Sequence, residues 1–156
     1  MASAPDGYGK RHNRSDGFTL VELLAVLVII TIIAAVALPS YEAMAQQSRR
    51  TDAIASINSL RLAQETFRAN CAFYAQNLGT SDVCGANAGA STLTFDTDSR
   101  EGFYAMSIVA SSATGNAFTI SADPQGAQVS DTDCDPMTLT ISAADPDGAR
   151  APAECW

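Results

Sequence analysis

Hydrophobic and polar positions divide the chain into segments that differ in period. Residues 1–17 are polar and aperiodic, whereas residues 18–38 are apolar at every position except Thr19, Glu22 and Thr31. As a helix, the apolar run would be about 30 Å long at about 1.5 Å per residue, which matches the hydrocarbon core of a bilayer. The pattern therefore predicts a helix that lies in a membrane or in the dry centre of an assembly.

A second helical segment follows Pro39, which we expect to kink the helix or to open the turn before it. Residues 40–70 contain no glycine or proline. On their hydrated face we expect Glu65 to pair with Arg61 and Arg68, at helical spacing. Apolar residues recur every three or four positions, as on one face of an amphipathic helix, at Ile54, Ile57, Leu60, Ala63 and Phe67.

The period changes again after the helix. Residues 71–102 are rich in glycine and small polar residues, which indicates a loop. Beyond them, alternation of apolar and polar residues predicts three antiparallel strands, at 103–111, 117–123 and 137–143. A short fourth strand could form near Leu93–Phe95, and the tail 145–156 is expected to be a loop. The predicted fold class is α+β, with a long N-terminal helix packed on a small antiparallel sheet of three or four strands.

Charge is unevenly placed along the chain. The formal net charge is -8, and residues 1–17 contribute +1 through Lys10, Arg11 and Arg14 against two acids. Residues 18–156 hold six arginines, no lysine and fifteen acids, a net charge of -9. A body this acidic does not attract a phosphate backbone through its overall field. The composition still allows a local basic patch, and Arg49 and Arg50 are the only adjacent basic pair in that region.

Four cysteines all follow the apolar run. No Cys-x-x-Cys pair is present and the lone histidine is His12, which argues against a zinc site. The basic residues before the apolar run keep the N-terminus cytoplasmic and export the rest. An even cysteine count in an exported domain favours two disulfides with three possible connectivities, whereas four free thiols would suit a cytosolic protein.

Sites for metals and for catalysis are poorly represented. Asp131, Asp133 and Asp135 alternate in a way that can bind Ca²⁺, but Pro136 and Ser142 stand where an EF-hand loop has glycine and glutamate. We therefore expect a solvated acidic loop. The chain after residue 17 has no histidine, no glycine-rich phosphate loop and no evident catalytic carboxylate pair. These features argue against an enzyme anchored by one helix and imply no cofactor.

The order of features at the N-terminus resembles the class III signal of type IV prepilins. A basic leader, Gly17, Phe18, Glu22 and Pro39 follow one another in "GFTLVELLAVLVIITIIAAVALPSYEAMAQQSRRTDA". The resemblance extends more loosely over the remaining chain. It implies a leader over 1–17, a transmembrane or filament-core helix over 18–39 and an amphipathic helix half over 40–70. An αβ-loop over 71–102 and a sheet with a C-terminal disulfide loop over 103–156 then complete the type IV pilin fold.

The resemblance also implies roles for the N-terminal residues. A prepilin peptidase would cut between Gly17 and Phe18 and methylate the new amino group of Phe18. That amino group would then neutralise Glu22 of a neighbouring subunit, and helices slipped out of register would leave both charges unpaired in a dry core. In the family, the region around the residue matching Pro39 softens the helix within the filament.

Partners and location follow from the same resemblance. Other pilin subunits, the prepilin peptidase and an inner-membrane assembly platform are the implied partners. The chain would cross the inner membrane once, with a cytoplasmic N-terminus, before it joins an extracellular pilus that serves motility, adhesion or DNA uptake. A pseudopilin of type II secretion is the alternative within the superfamily, although those proteins often lack the cysteine loop.

The C-terminal half bears on disulfides and on DNA. The family's disulfide-bounded loop implies Cys134–Cys155 and leaves Cys71–Cys84, with crossed pairings still open. The ending "CDPMTLTISAADPDGARAPAECW" resembles PilE-like minor pilins, which include ComP-like DNA receptors, at Cys134, Leu139 and the Cys155–Trp156 pair. Those receptors use a basic surface stripe, and the acidic composition here argues against nucleic acid as a partner. Trp156 is expected to plug the core of the sheet.

Overall fold

A computed structural model describes residues 18–156, so Gly17 and the predicted leader lie outside the described residues. The chain divides into two compact units at Ser40. The described part of the first unit is the apolar segment 18–40. The second unit, Tyr41–Trp156, is called the head below.

One helix, α1, spans Leu20–Asn70 and continues through Pro39. Its apolar N-terminal segment is long and apolar enough to cross a membrane. Large apolar side chains there, such as Leu24, Ile30 and Leu38, are exposed. Apolar side chains that no other described residue covers favour contact with lipid or with other helices, because burial of apolar surface drives association.

The head contains a four-stranded antiparallel sheet, which confirms the predicted α+β fold. Its strand order is β3-β4-β5-β6. Two short strands, β1 and β2, pair in parallel as a separate sheet. The six strands are β1 (Asn77–Gly79), β2 (Thr92–Thr94), β3 (Tyr104–Ile108), β4 (Phe118–Pro124), β5 (Met137–Ser142) and β6 (Asp145–Ala151). Short 3₁₀ helices cover Ala88–Ala90, Gly126–Ser130, Thr132–Cys134 and Ala153–Cys155.

Two sequence-based expectations about strands were wrong. The tail from Asp145 forms β6 rather than a loop, with Thr140 opposite Ala149 and a register shift between Thr140 and Ser142. The strand over Leu93 does form, but it pairs with β1 rather than with the main sheet. Strand β6 carries mostly exposed side chains and includes Pro146 and Gly148. It therefore lacks the apolar alternation that identifies a half-buried strand.

Gly148 explains how β6 lies so close to β5. Its φ is +96°, a value that side chains with a Cβ rarely adopt. A Cβ at this position would stand 2.7 Å from side-chain carbons of both Leu139 and Ile141. Glycine is thus required here both by the backbone conformation and by the close approach of the neighbouring strand.

The core lies between α1 and the inner face of the main sheet. Helix residues Ala53, Ile57, Leu60 and Phe67 are buried, and Ile54 and Ala63 pack against them, as the predicted stripe requires. Strand residues meet this stripe with a period of two. Buried strand side chains are Tyr104, Met106, Ile108, Phe118, Ile120, Ala122, Met137, Leu139 and Ile141.

Two disulfides close loops of the head. One joins Cys71 to Cys84, across the segment that leaves α1. The other joins Cys134 to Cys155 and encloses β5 and β6. Loops of this length stabilise a fold by about 3 kcal/mol each in the chain-entropy model.

The expected ion pairs on the hydrated face of α1 do not form. Glu65 instead accepts a hydrogen bond from the Tyr74 hydroxyl at 3.0 Å, and burial is the main reason that the Tyr74 pKa lies above its ordinary value. The Arg61 guanidinium donates to the carbonyl oxygens of Pro146 and Asp147. Tertiary partners that the sequence does not reveal therefore replace the local pairs.

Candidate functional site

The N-terminal end of α1 is built around Thr19. The Leu23 amide donates to the Thr19 carbonyl at 3.2 Å, which is the first helical hydrogen bond. The Glu22 amide donates to the Thr19 hydroxyl oxygen, also at 3.2 Å. Thr19 is thus the N-cap and Glu22 is the third helical residue, which is the sequence spacing of a Thr-x-x-Glu capping box. Of the two bonds of such a box, the described residues form the one to the Thr19 hydroxyl. The sequence carried this signal, and our reading of it missed the role of Thr19.

Glu22 stands in the first helical turn, four residues after Phe18. Both side chains are exposed, as are the apolar side chains that follow them. The positive end of the helix dipole favours a carboxylate in this turn, whereas an apolar surrounding opposes it. A cationic group that reaches the N-terminal end of α1 can therefore pair with the Glu22 carboxylate. Pro39, the other predicted assembly residue, lies within the helical span.

A partly buried ion pair fixes the loop before β5 to α1. The Arg50 guanidinium donates two hydrogen bonds to Asp131, at 2.7 and 2.6 Å. The Asp131 carboxylate is almost fully buried, and its hydrogen bonds to Arg50 raise the pKa of the guanidinium. The Gln128 amide nitrogen also donates to Asp131, at 2.8 Å. The sequence analysis did not predict a contact between Arg50 and Asp131.

Tyr104 lies beside the same contact. Its hydroxyl oxygen accepts a hydrogen bond from the Gln128 amide nitrogen at 3.0 Å. Burial raises the pKa of Tyr104 above its ordinary value of 10.0, and the nearby Asp131 charge acts in the same direction. The contact therefore ties strand β3, the Gln128 turn and helix α1 together.

The same pair bears on the calcium alternative. Asp131 already has a guanidinium partner, whereas Asp133 and Asp135 are exposed. The three alternating acids thus do not converge on one point. Among residues 18–156, no group of three or more His, Cys, Asp or Glu side chains is arranged to hold a metal ion.

The arginines of the head fall into two groups. Arg50, Arg61 and Arg68 each donate hydrogen bonds, and Arg68 reaches the carbonyl oxygens of Gly115 and Cys71 at 2.8 Å. Within the described chain, the guanidinium groups of the other three make no hydrogen bond. Arg49 lies over the Phe103 ring, 5.0 Å from its centroid. Arg150 lies over the Trp156 ring at 5.3 Å, while Arg100 is exposed.

The sequence had pointed to Arg49 and Arg50 as an adjacent basic pair. The structure separates their roles, because Arg50 is committed to Asp131. Arg49 instead shares a hollow on the head with Arg100. This partnership could not be read from the sequence, since about fifty positions separate the two residues.

The turn that carries Arg100 is held on α1 by buried side chains. The Ser99 hydroxyl donates to Asp52 at 2.5 Å, and the Glu101 amide donates to the same carboxylate at 3.1 Å. The Arg100 amide donates to the Ser56 hydroxyl oxygen at 3.3 Å. Arg100 is therefore presented from a fixed backbone.

Comparisons with known proteins match two adjacent regions of the chain. Residues 12–38 match the prokaryotic N-terminal methylation motif. Residues 39–138 match the family described as type IV minor pilin ComP, DNA uptake sequence receptor. The chain belongs to this family of type IV minor pilins. The predicted recognition is thus confirmed, and the pilin family is structural rather than enzymatic.

Curated relatives agree with this assignment over shorter regions. The type IV major pilin protein PilA of Myxococcus xanthus is 39% identical over 35% of this chain and 24% of its own length. A fimbrial protein of Pseudomonas aeruginosa is 40% identical over 32% of each chain. A fimbrial protein of Moraxella nonliquefaciens is 35% identical over 44% of this chain and 45% of its own. The matches therefore span less than half of these relatives, and no solved structure matches.

The family description bears on whether nucleic acid is a partner of this chain. A ComP family match that includes the words DNA uptake sequence receptor runs against the expectation that nucleic acid is not a partner. It favours the ComP-like alternative over a general pilus subunit. Trp156, by contrast, packs against the core as expected, with its ring half-buried.

Proposed function

We propose that this pilin is a minor subunit of a type IV pilus, polymerised through the N-terminal part of α1. The observation that carries the proposal is the succession of a methylation motif over 12–38 and a minor-pilin head over 39–138 in one chain. The exposed apolar surface of residues 18–38 supports it, because such a surface needs lipid before assembly and other helices afterwards.

Processing creates the binding group in this proposal. A prepilin peptidase cuts between Gly17 and Phe18 and methylates the Phe18 amino group, which stays cationic. On an incoming subunit that group meets Glu22, and an ion pair relieves the cost of a carboxylate in an apolar surrounding. Before this step the chain crosses the inner membrane once, with a cytoplasmic N-terminus, at the assembly platform. Afterwards it lies in the extracellular filament.

Assembly is tested by the amount of this subunit in sheared filaments compared with membranes. Glu22→Ala should insert into the membrane at normal levels and be depleted from filaments by tenfold or more, a loss of about 1.4 kcal/mol or more. Glu42→Ala is the matched control, because Glu42 is an exposed acid of the same helix within the head. Normal filament levels of Glu22→Ala would refute the pairing.

Processing has its own test. Gly17→Val should leave the leader attached, because it places a branched side chain directly before the peptide bond that the peptidase must reach. N-terminal sequencing of the wild type should give methylated Phe18. A mature chain that still begins at Phe18 in Gly17→Val would refute the assigned cleavage site.

A second candidate function is DNA reception by the head, favoured by the description of the matching family. Six arginines against fourteen acids in residues 41–156 give the head a net charge of -8. Long-range attraction is therefore absent, and any DNA contact must be local. We expect weak salt dependence compared with proteins that make six to ten phosphate contacts.

DNA reception is tested with the processed full chain in detergent. Sheared chromosomal DNA of the source organism is compared with random duplex of equal length and base composition. A sequence receptor should prefer the former at the same salt concentration. Equal binding of both indicates only non-specific contact, and no binding of either removes this second function while leaving the filament role intact.

A further inference from the structure

One hollow on the head brings together two arginines whose guanidinium groups have no hydrogen-bond partner within the described residues. Arg49 and Arg100 both line it, together with Phe103 and the side chains of Ser48, Thr51 and Glu101. We call it the Arg49–Arg100 hollow. Arg150, the third arginine of this kind, lies elsewhere over Trp156.

Neither guanidinium group is neutralised, and the side chain of Arg49 and the backbone of Arg100 are held in place. Arg49 lies over the Phe103 ring, which orients the group through a cation–π contact and leaves its N–H donors free. The Arg100 turn is fastened by Ser56 and Asp52. Among residues 18–156 the only salt bridge is Arg50–Asp131, so neither arginine has a carboxylate partner.

The acids of the hollow are differently placed. Asp52 is buried, and its oxygens already accept hydrogen bonds from the Ser99 hydroxyl and the Glu101 amide. Glu101 is exposed at the rim. Two arginines and two acids give the hollow a formal charge of zero in a head of net charge -8. This is a place where an anion can contact guanidinium groups directly without facing the full negative field.

The shape of the donors suits one anion in particular. Arginine donors form a rigid fork that matches the oxygens of a phosphate, and two forks can bind one phosphate from two sides. Ser48 and Thr51 line the same hollow, and the Thr51 hydroxyl donates to the Ser48 carbonyl. A hydroxyl such as that of Ser48 is a common additional donor to DNA phosphates.

We propose that the Arg49–Arg100 hollow holds one backbone phosphate of double-stranded DNA. The proposal rests on the DNA-receptor function given above. Each subunit then neutralises about one phosphate, so the logarithm of the binding constant should fall with the logarithm of salt with a slope of about -0.9.

The experiment measures binding of a short labelled duplex to the processed full chain in detergent, between about 50 and 200 mM salt. Arg49→Gln and Arg100→Gln should each weaken binding, and together they should weaken it about tenfold and bring the salt slope close to zero. Arg150→Gln is the matched control, since its guanidinium also lies over an aromatic ring, and it should bind as the wild type does. Unchanged melting temperatures verify that the variants fold.

Four results would overturn the proposal. Wild-type binding with the double variant unchanged, or weakened no more than Arg150→Gln, removes this site and leaves DNA reception standing. No duplex binding by the wild type removes both. A double variant that binds DNA normally but is lost from sheared filaments assigns the hollow to a carboxylate of a neighbouring subunit. Inorganic phosphate at equal ionic strength should compete only weakly, and competition at the concentration of duplex phosphates would mark a simple anion site.

Discussion

Arg50 on the helix and Asp131 on the loop before β5 form a two-point ion pair that crosses 81 positions of sequence. The pair is joined by Gln128, whose amide nitrogen also reaches the Tyr104 hydroxyl. The segment just before the loop of the second disulfide is thus attached to α1, and Cys155 joins the end of that loop back to Cys134.

Breaking this pair should destabilise the head. Asp131→Asn leaves a partly buried guanidinium without its charge partner, and we expect a loss of about 2 kcal/mol, below the range for fully buried pairs because Arg50 is partly hydrated. Chemical denaturation of the full chain in detergent measures the loss. Asp133→Asn is the control, since Asp133 is exposed two residues away. An equal loss in both variants would contradict the role of the pair.

High pH should weaken the fold through its buried tyrosines. Burial raises the pKa of Tyr104 and of Tyr74 above 10.0 in the folded state. The free energy of unfolding keeps this contribution in full below pH 10.0, which is the tyrosine pKa in the unfolded chain. The contribution is lost as the pH rises from there through the higher pKa values of the folded state. Tyr74→Phe should flatten the alkaline decline of the melting temperature. Tyr41→Phe, at an exposed position, should not change it.

The cap at Thr19 should order the start of α1. Thr19→Val keeps the shape but removes the hydroxyl acceptor and leaves the Glu22 amide only the Thr19 carbonyl, at 3.1 Å. We expect a cost of about 1 kcal/mol. Hydrogen exchange of the Glu22 amide in micelles should then become about fivefold faster. Thr19→Ser keeps the acceptor and should exchange like the wild type. Protection that is identical in all three chains would show that the hydroxyl does not cap the helix.

Burial along α1 predicts opposite outcomes for two leucines. Leu60 is fully buried, and Leu60→Ala should cost about 2–5 kcal/mol because it removes contacts and leaves a cavity. Leu62 is 69% exposed on the same helix, and Leu62→Ala should change stability by no more than about 0.5 kcal/mol. Denaturant midpoints of the two variants provide the comparison, and similar losses would mean that Leu62 is covered in the protein as measured.

The disulfide pairs can be checked directly. Non-reducing peptide mapping should give linked peptides that contain Cys71 with Cys84 and Cys134 with Cys155. Replacing Cys71 and Cys84 together by serine should lower stability by about 3 kcal/mol in the chain-entropy model. Any crossed peptide in the intact chain would contradict this pairing.

Periodicity was sufficient for the elements that bury one face. The stripe from Ile54 to Phe67 and the strands around Met106, Ile120 and Leu139 could be predicted because burial leaves a regular apolar pattern. Strand β6 could not, because its side chains are mostly exposed and its position depends on the close approach at Gly148.

Sites were predictable only where the signal is local. Glu22 stands out as the single charge in an apolar run, and Thr19 could have been found from its spacing to Glu22. The contacts of the arginines could not be predicted from local sequence signals. Arg50, Arg61 and Arg100 look alike in the sequence, and only contacts with distant segments distinguish an ion pair, a backbone anchor and an unpaired cation.

Arg61 and Arg68 reach across to β6 and to the loop before β4 through carbonyl oxygens rather than side chains. Every residue type supplies the same carbonyl, so these anchors do not depend on which amino acids occupy positions 115, 146 and 147. Substitutions of the outward side chains in these segments therefore leave the hydrogen bonds between α1 and their backbone in place. The backbone contacts that hold these segments on α1 are thus independent of the side chains that the segments expose.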